Sequence, residues 1–491
     1  MKRPILILTV LPLIGSLIMI GCGKDDDDSE PKEVEVNADF DIIPKNPVTG
    51  EEVILDAGKT TVENNGDLEF NWSLDDPPGS EAQLISHTAE NTALTPDIEG
   101  EYEITLEATA NGESDVKTKS FTATIPNVLS SDITEEMTLT SDITYLVTDH
   151  IQVLAGLNIE AGTTIEFENG AGFEVSSSEG FITAVGTEED PILLTGTDDQ
   201  AGWWNGVFIS ESDNMQNELD YVTIEYGGGR EFDGSGTGNV IVGELFNDDS
   251  EITINNSTFR QSGGEGIWIR DNGDLTEFTS NSFTDNDGPP VAIASSKAHQ
   301  LDKASDYSGN EEDYIYVMSD HELEDENVNW LNLDVPYRIE EGIIDVKSVE
   351  IEIEEGSELQ FEQNGRIQVS SHGGAIIAKG TNDDPILFTG SDDQPGWWDG
   401  IFIRESDNRN NELDNIIIEY AGGEEYTRSN KGNIVVGRHF SDDSRLTLTN
   451  SIVRHSGSNG LWVRTNGIIN EDVCEVNTFE NNAGEDCHIE E

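Results

Sequence analysis

From about residue 129 onward, apolar and polar residues alternate in short runs, each closed by glycine, asparagine or aspartate: FITAVG, PILLTG, GVFIS, YVTIEYGG, NVIVG, EITINNSTF, GIWIR. A period of two is that of a half-buried strand, and no segment carries the 3.6-residue period of an amphipathic helix. Without helices to carry crossovers between parallel strands, short strands recurring in turns of roughly 20 to 30 residues predict a β-solenoid, in which each coil stacks on the last. The competing architecture is an antiparallel barrel or propeller, although a propeller blade repeats every 40 to 50 residues or so. In GIWIR, alternation sends Ile267 and Ile269 to one face and Trp268 and Arg270 to the other. In NGVFI it makes Val207 and Ile209 the inward candidates.

The pattern is written twice. TGTDDQAGWWNGVFI, Thr195 to Ile209, returns as TGSDDQPGWWDGIFI, Thr389 to Ile403. The spacing of 194 residues from Trp203 to Trp397 holds without a gap from Phe173 to Gly273, and it also relates Trp204 to Trp398 and Trp268 to Trp462. A chain of 491 residues is too long for one ordinary domain unless a repeat elongates a single core. We therefore expect two solenoid copies, 129–325 and 326–491. Residues 34–126 differ, with short strands and turn clusters that predict a small antiparallel sandwich. The fold class expected for the whole chain is all-β.

Composition narrows the function. The 25 basic and 100 acidic residues give a formal charge of -75, which repels nucleic acid and anionic membrane surfaces. Nucleic acid is excluded as a partner. Solvated acidic faces explain most of this surplus, and acidic turns could also supply calcium ligands. At the N-terminus, Lys2 and Arg3 precede an apolar run that ends at Gly21-Cys22, just before GKDDDDSEP. This reads as an export signal over residues 1–21 with an acidic tether over 22–33, against the alternative of an uncleaved membrane helix. Met19-Ile20-Gly21-Cys22 resembles a bacterial lipobox, with methionine in place of the commoner leucine. That resemblance implies lipidation at Cys22 and attachment to the outer membrane through the lipid, and KDDDD, Lys24 to Asp28, resembles the acidic signal that sends some outer-membrane lipoproteins to the cell surface, with a plain flexible tether as the alternative. With Cys22 lipidated, the remaining Cys474 and Cys487 invite a disulfide in an exported chain.

Two further resemblances follow. Leu55 to Ser80 and Thr95 to Gly112 resemble a PKD-type immunoglobulin-like domain, with Trp72 as the core tryptophan, Asp56-Ala57 as the early turn and Tyr102, Ile104 and Leu106 on the late strand. Such domains serve as spacers or interaction modules. EEDPILLTGTDDQAGWWNGVFI, NELDYVTIEYGGG and INNSTFRQSGGEGIWI resemble successive coils of the right-handed parallel β-helix domains of bacterial surface proteins. That scaffold hosts lyases, hydrolases and adhesins, so function must be argued from a site.

Polygalacturonase-like hydrolases of this fold carry paired aspartates, a His-Gly and an arginine, and the second copy has look-alikes in Asp392-Asp393, His372-Gly373 and Arg366. The order is wrong, and Ser178 stands at the first-copy counterpart of His372. No catalytic residue is assigned. Basic residues kept in both copies are Arg260 with Arg454 and Arg270 with Arg464. An outward Trp268 beside Arg270, repeated as Trp462 and Arg464, would make a shelf for a sugar ring with a charged substituent; its rival is arginine stacked on tryptophan and paired to an acid. Retained acids Glu211, Asp213, Asp248 and Asp249, with Glu405, Asp407, Asp442 and Asp443, are turn residues first and calcium candidates second. No metal or cofactor is assigned. The paired tryptophans Trp203, Trp204, Trp397 and Trp398 are expected to pack a corner. The function expected is non-catalytic binding or adhesion toward extracellular polysaccharide. A lyase or hydrolase on acidic glycans and a purely structural surface protein are the alternatives.

Replacing Cys22 by alanine should leave the precursor unprocessed and the protein released from membranes, as read by metabolic lipid labelling and fractionation. Unchanged labelling in Cys22→Ala would remove the lipid anchor from this account.

Overall fold

The computed structural model describes residues 35–63, 66–124, 127–232, 236–243, 249–319, 322–323, 328–423, 431–438 and 443–490. The signal, the tether with Cys22, and the acids Asp248 and Asp442 lie outside the described residues. The chain is all-β and divides into two compact units, Met1–Thr124 and Ile125–Glu491.

In the first unit, the strands among the described residues pair antiparallel, and one isolated bridge, Val48 with Thr124, is parallel. One sheet joins Asp41–Ile43, Val53–Asp56 and Asn91–Leu94, a second joins Glu69–Asp75, Gly100–Ala110 and Glu113–Ala123, and Glu35–Asn37 pairs with Thr61–Glu63. Trp72 is fully buried, edge-on to Phe40 at 5.1 Å, and its indole Nε1 donates to Ala89 O at 2.8 Å. That hydrogen bond is what lets an indole sit in the centre of an apolar core.

The second unit is a right-handed parallel β-helix. In the first copy, each coil contributes one strand to each of three walls. Coil five, for example, runs Ser250–Asn255, Thr258–Arg260, Glu265–Ile269, and each of these pairs in parallel with the strands one coil before and after. Corners are single residues of positive φ, such as Asn256 (50°) and Gln261 (53°), a conformation that asparagine tolerates better than most. Corner amides are satisfied by side chains from the next coil. Asn281 accepts from Ser257 N at 3.0 Å and donates to Ile254 O at 3.0 Å.

Alternation places Val207, Ile209, Ile267 and Ile269 in one buried cluster that extends from Ile133 to Val473, through both copies. The copies therefore form one solenoid. Their junction is a sheet of thirteen strands among the described residues, in which Val291–Ala294 pairs with Ile315–Met318 and that strand with Tyr337–Ile339.

The junction does not preserve phase. In the first copy the long sheet holds Val207–Ile209, Gly238–Val242 and Glu265–Ile269. Their second-copy counterparts, Gly400–Ile403, Gly432–Val436 and Asn459–Val463, form part of a separate seven-stranded sheet. The long sheet continues instead through Ile386–Gly390, Ile416–Glu419 and Ile452–Arg454, whose first-copy counterparts stand on a neighbouring wall. The coils inserted around residues 295–336 set the second copy one wall out of step with the first.

The paired tryptophans pack corners. Trp204 and Trp398 are fully buried, stacked on Phe167 at 3.9 Å and Phe361 at 4.0 Å, and their indole Nε1 atoms donate to Glu225 O and Glu419 O at 2.8 Å. Trp203 and Trp397 lie outside them, donating to Thr197 Oγ1 and Ser391 Oγ at 2.9 Å. The C-terminal coil is stapled by a Cys474–Cys487 disulfide with a Cα–Cα distance of 5.9 Å.

Trp204→Ala or Trp398→Ala should each cost about 3–5 kcal/mol of stability, by loss of a fully buried indole and the cavity left behind. Trp203→Ala should cost clearly less, as measured by denaturant unfolding. Equal losses at Trp203 and Trp204 would contradict this division of roles.

Candidate functional site

The outer face of the long sheet is the most informative surface. One column runs along it, rung by rung: Gln152, Glu174, Phe208, Ile241, Trp268, Ala292, Tyr316, Arg338, Gln360. Neighbouring rungs are about 4.8 Å apart.

The lower part of this column is apolar and covered. Phe208 and Ile241 are fully buried on the outside of the solenoid, beneath Phe232, whose ring stacks on Phe208 at 4.4 Å, and Trp268 packs against this cluster. The Arg230 guanidinium lies 5.8 Å from the Phe208 ring centre. Gly236 closes the cover, since a Cβ there would come within 2.1 Å of the Trp268 ring and 2.9 Å of Glu265 Oε2. Only glycine lets the backbone lie this close to the indole.

The upper part is half-buried. Trp268 and Tyr316 stand two rungs apart, yet their ring centres are 6.4 Å apart, because both lean over Ala292, which is fully buried beneath them. One rung further, the Arg338 guanidinium lies 4.2 Å from the centre of the Tyr314 ring and donates to Gln360 Oε1 from Nη2 at 2.6 Å and Nε at 3.2 Å. Two half-buried rings side by side, followed by a donor-rich guanidinium and an amide, can stack a sugar face and bond its hydroxyls.

Glu265 borders this platform. Burial pushes its carboxyl up to about 7, and Glu312 adds to the rise, while Thr237 N–H donates to Oε2 at 3.1 Å and opposes it. In the second copy this position is Asn459, whose Nδ2 donates to Lys431 O at 2.8 Å and whose Oδ1 accepts from Glu485 N at 2.9 Å. The titratable group is thus present once, where its twin is a neutral amide. Burial also raises the Tyr316 phenol well above its usual value, with Glu340 as the next cause.

The expected twin shelves are not equivalent. Trp268 is on the long sheet and Trp462 on the seven-stranded sheet, so the two do not share a face. Trp462 stacks on His488 at 3.9 Å and donates to Glu490 Oε1 at 3.0 Å, so the last coil covers it. Neither Arg270 nor Arg464 is a free guanidinium. The cation that joins the platform is Arg338, which the sequence reading missed because its first-copy counterpart, beside Tyr145, is Leu146. Arg260 and Arg454 serve structure: each bonds, through Nε, a nearly buried glutamate on the rung below, Glu225 at 2.7 Å and Glu419 at 2.6 Å.

The hydrolase look-alikes do not converge. Arg366 pairs with Asp399 at 2.7 Å and exposed His372 with Asp407 at 3.3 Å, while Asp392 and Asp393 lie in the corner before Trp397. His150, a second residue missed in sequence, contacts Glu174 through Nε2 at 2.7 Å and has Asn205 Nδ2 3.5 Å from Nδ1. No group of three or more His, Cys, Asp or Glu that could hold a metal ion occurs among the described residues. Of the calcium candidates, Glu405 accepts from Arg438 at 2.8 Å and Asp407 contacts His372.

With this geometry in place, the class of scaffold is supported by sequence: residues 131–252 match the family model of a pectate-lyase-like β-helix domain. Among solved structures, a double mutant of the periplasmic alginate epimerase AlgG is similar over 72% of this chain and 78% of its own, at 8% identity and a TM-score of 0.20. A likeness that distant says nothing about the reaction. No curated protein matches the chain.

The Glu265 carboxyl makes stability depend on pH. Its folded value lies above the unfolded value of 4.5. Its contribution is therefore complete below about pH 4.5 and is lost as pH rises through about 7, a difference of about 3 kcal/mol. Glu265→Gln should gain about that much relative to the wild type between about pH 4 and about pH 8. Parallel pH profiles for the two proteins in chemical denaturation would show that Glu265 is not buried as described.

Proposed function

We propose that this chain is a lipid-anchored surface protein that binds extracellular polysaccharide without altering it, with its site on the outer face of the long sheet. One observation carries the reading: the Trp268–Tyr316 platform over Ala292, flanked by Arg338 and Gln360. The column supplies a new side chain every ~4.8 Å, close to the advance per residue of an extended glycan, so a chain lying along it would meet one rung per sugar. The matched β-helix family supports a scaffold suited to such a role. The anchor rests on Met19 to Cys22 in the sequence and puts the solenoid where exogenous polymers are met.

A hydrolase or lyase is the rival reading, and one observation favours it: Glu265, a carboxyl near neutrality at the edge of the platform, is tuned as a general acid would be. Release of new reducing ends or of unsaturated uronate by the wild type, abolished in Glu265→Gln, would establish that reading over binding alone.

On a glycan array the full chain should bind at least one polysaccharide class, and the double variant Trp268→Ala, Tyr316→Ala should bind it about tenfold or more weakly, since each ring stack contributes about 1 kcal/mol. Wild-type affinity in the double variant would sink this site.

A further inference from the structure

Resting on the binding reading above, we infer that the platform takes an uncharged polysaccharide and excludes uronate-bearing chains. The groups around the two rings decide this. Tyr314 donates its hydroxyl to Glu312, Glu340 accepts from Ser319 N–H at 3.2 Å, and Glu265 lies under the edge of the Trp268 cover. Glu358 accepts from Gln360 at 2.7 Å, and Glu362 stands 3.8 Å from Arg338. Glu265, Glu340 and Glu362 all act electrostatically on the Tyr316 hydroxyl. Carboxylates therefore border the platform at the Trp268, Tyr316, Arg338 and Gln360 rungs, whereas the strand Val291–Ala294 of the rung between the two rings carries none.

Against them stands Arg338, and its guanidinium is already engaged. Nε and Nη2 share Gln360 Oε1, Nη1 faces Glu362, and its plane lies against Tyr314. A uronate carboxylate laid on Trp268 or Tyr316 would find the like charges of Glu340 and Glu362 about it, a Glu265 that is only partly charged near neutral pH, and no bidentate partner left for it. A neutral sugar finds what it needs. Its hydroxyls donate to the carboxylates and accept from the guanidinium and the Gln360 amide, while its axial C–H face lies on the rings.

The phase shift makes this arrangement singular. Trp268 and Ala292 come from the first copy, Tyr314 and Tyr316 from the inserted coil, and Arg338 and Gln360 from the second copy, on the wall that continues the long sheet. Had the copies stacked in phase, the rungs above Tyr316 would have been other residues. The duplication thus created, at its seam, a surface that neither copy contains.

The inference is tested by affinity electrophoresis of the full chain in gels containing neutral polymers (a β-glucan, a galactomannan, an arabinoxylan) or polyanions (polygalacturonate, alginate), with and without calcium. Retardation by a neutral polymer, unaffected by raised salt and weakened about tenfold in Trp268→Ala, Tyr316→Ala, is the expected result; neither polyanion should retard the wild type, and Glu340→Gln, Glu362→Gln should lower that barrier. Retardation of the wild type by polygalacturonate or alginate, lost in Trp268→Ala, would overturn the uncharged class while leaving the binding reading intact. Neutral-polymer binding that survives loss of both rings would move the site elsewhere and overturn the inference. Silence from every polymer would remove the binding reading itself.

Discussion

Everything in the solenoid depends on parallel rungs stacking without a slip. A strand of period two can bury one face only if its neighbour keeps register, because a one-residue shift would turn Ile267 and Ile269 outward and Trp268 inward. Register is held from both sides. Inside, Ile267 stacks between Val240 and Val291 in a core that runs the length of the unit. At the corners, asparagine and serine side chains tie each amide to the next coil, as Ser262 N–H does with Asn286 Oδ1 at 3.0 Å. Burial of each aliphatic side chain contributes about 1.5–3 kcal/mol, and the thirteen-stranded sheet carries the pairing from one copy into the other. At the C-terminal end, the disulfide from Cys474 to Cys487 ties the last strand, Cys487–Ile489, to the short helix Val473–Val476.

That rule constrains inward residues tightly and leaves outward residues free, so the outer column is where a function can be written. The outer positions divide into two kinds. Thr195, Glu225 and Arg260 recur as Thr389, Glu419 and Arg454 with the same bonds: Thr195 to Glu225 at 2.8 Å, Thr389 to Glu419 at 3.1 Å, and each arginine to its glutamate. A nearly buried carboxylate needs a partner on any wall it occupies, and this requirement follows the sequence wherever the copy stacks. Such ladders are architecture. Trp268, by contrast, keeps its identity as Trp462 but changes its surroundings, from a tilted neighbour in Tyr316 at 6.4 Å to a stacked one in His488 at 3.9 Å.

Much of the fold was legible because it rests on local, periodic signals. Alternation in GIWIR, glycine and asparagine at the corners, and the spacing of Trp203 to Trp397 were sufficient to predict stacked coils and inward isoleucines. The corner role of Trp204 and Trp398 was legible for the same reason, since the strands on both sides repeated with them. The site was less legible. Sequence identity between Trp268 and Trp462 implied equal presentation, but presentation depends on which wall each reaches, and that depends on the number of coils inserted between the copies. Residues 295–336 have no repeat to compare them with, so Tyr314 and Tyr316 carried no signal, and Arg338 stands opposite Leu146 in the first copy, so retention did not mark it. Arg270 drew attention because it was retained, whereas retention here marks a residue already engaged.

Glu265 and Asn459 show how the two copies can be used against each other. Both sit at the start of the strand that carries the tryptophan, and both are bonded to the segment before the preceding strand, at Thr237 and Lys431 respectively. An amide meets the need for a donor and an acceptor at no electrostatic cost. A carboxylate there is an expense that stability alone does not explain, for it must be kept protonated or be desolvated beside Glu312. The copy that retains the costly group has Gly236 against its tryptophan and Tyr316 beside it, and the copy that has the amide has His488 stacked on its tryptophan. The two copies thus differ in electrostatic cost at a matched position, and the costlier group is the one beside Gly236 and the Trp268 ring.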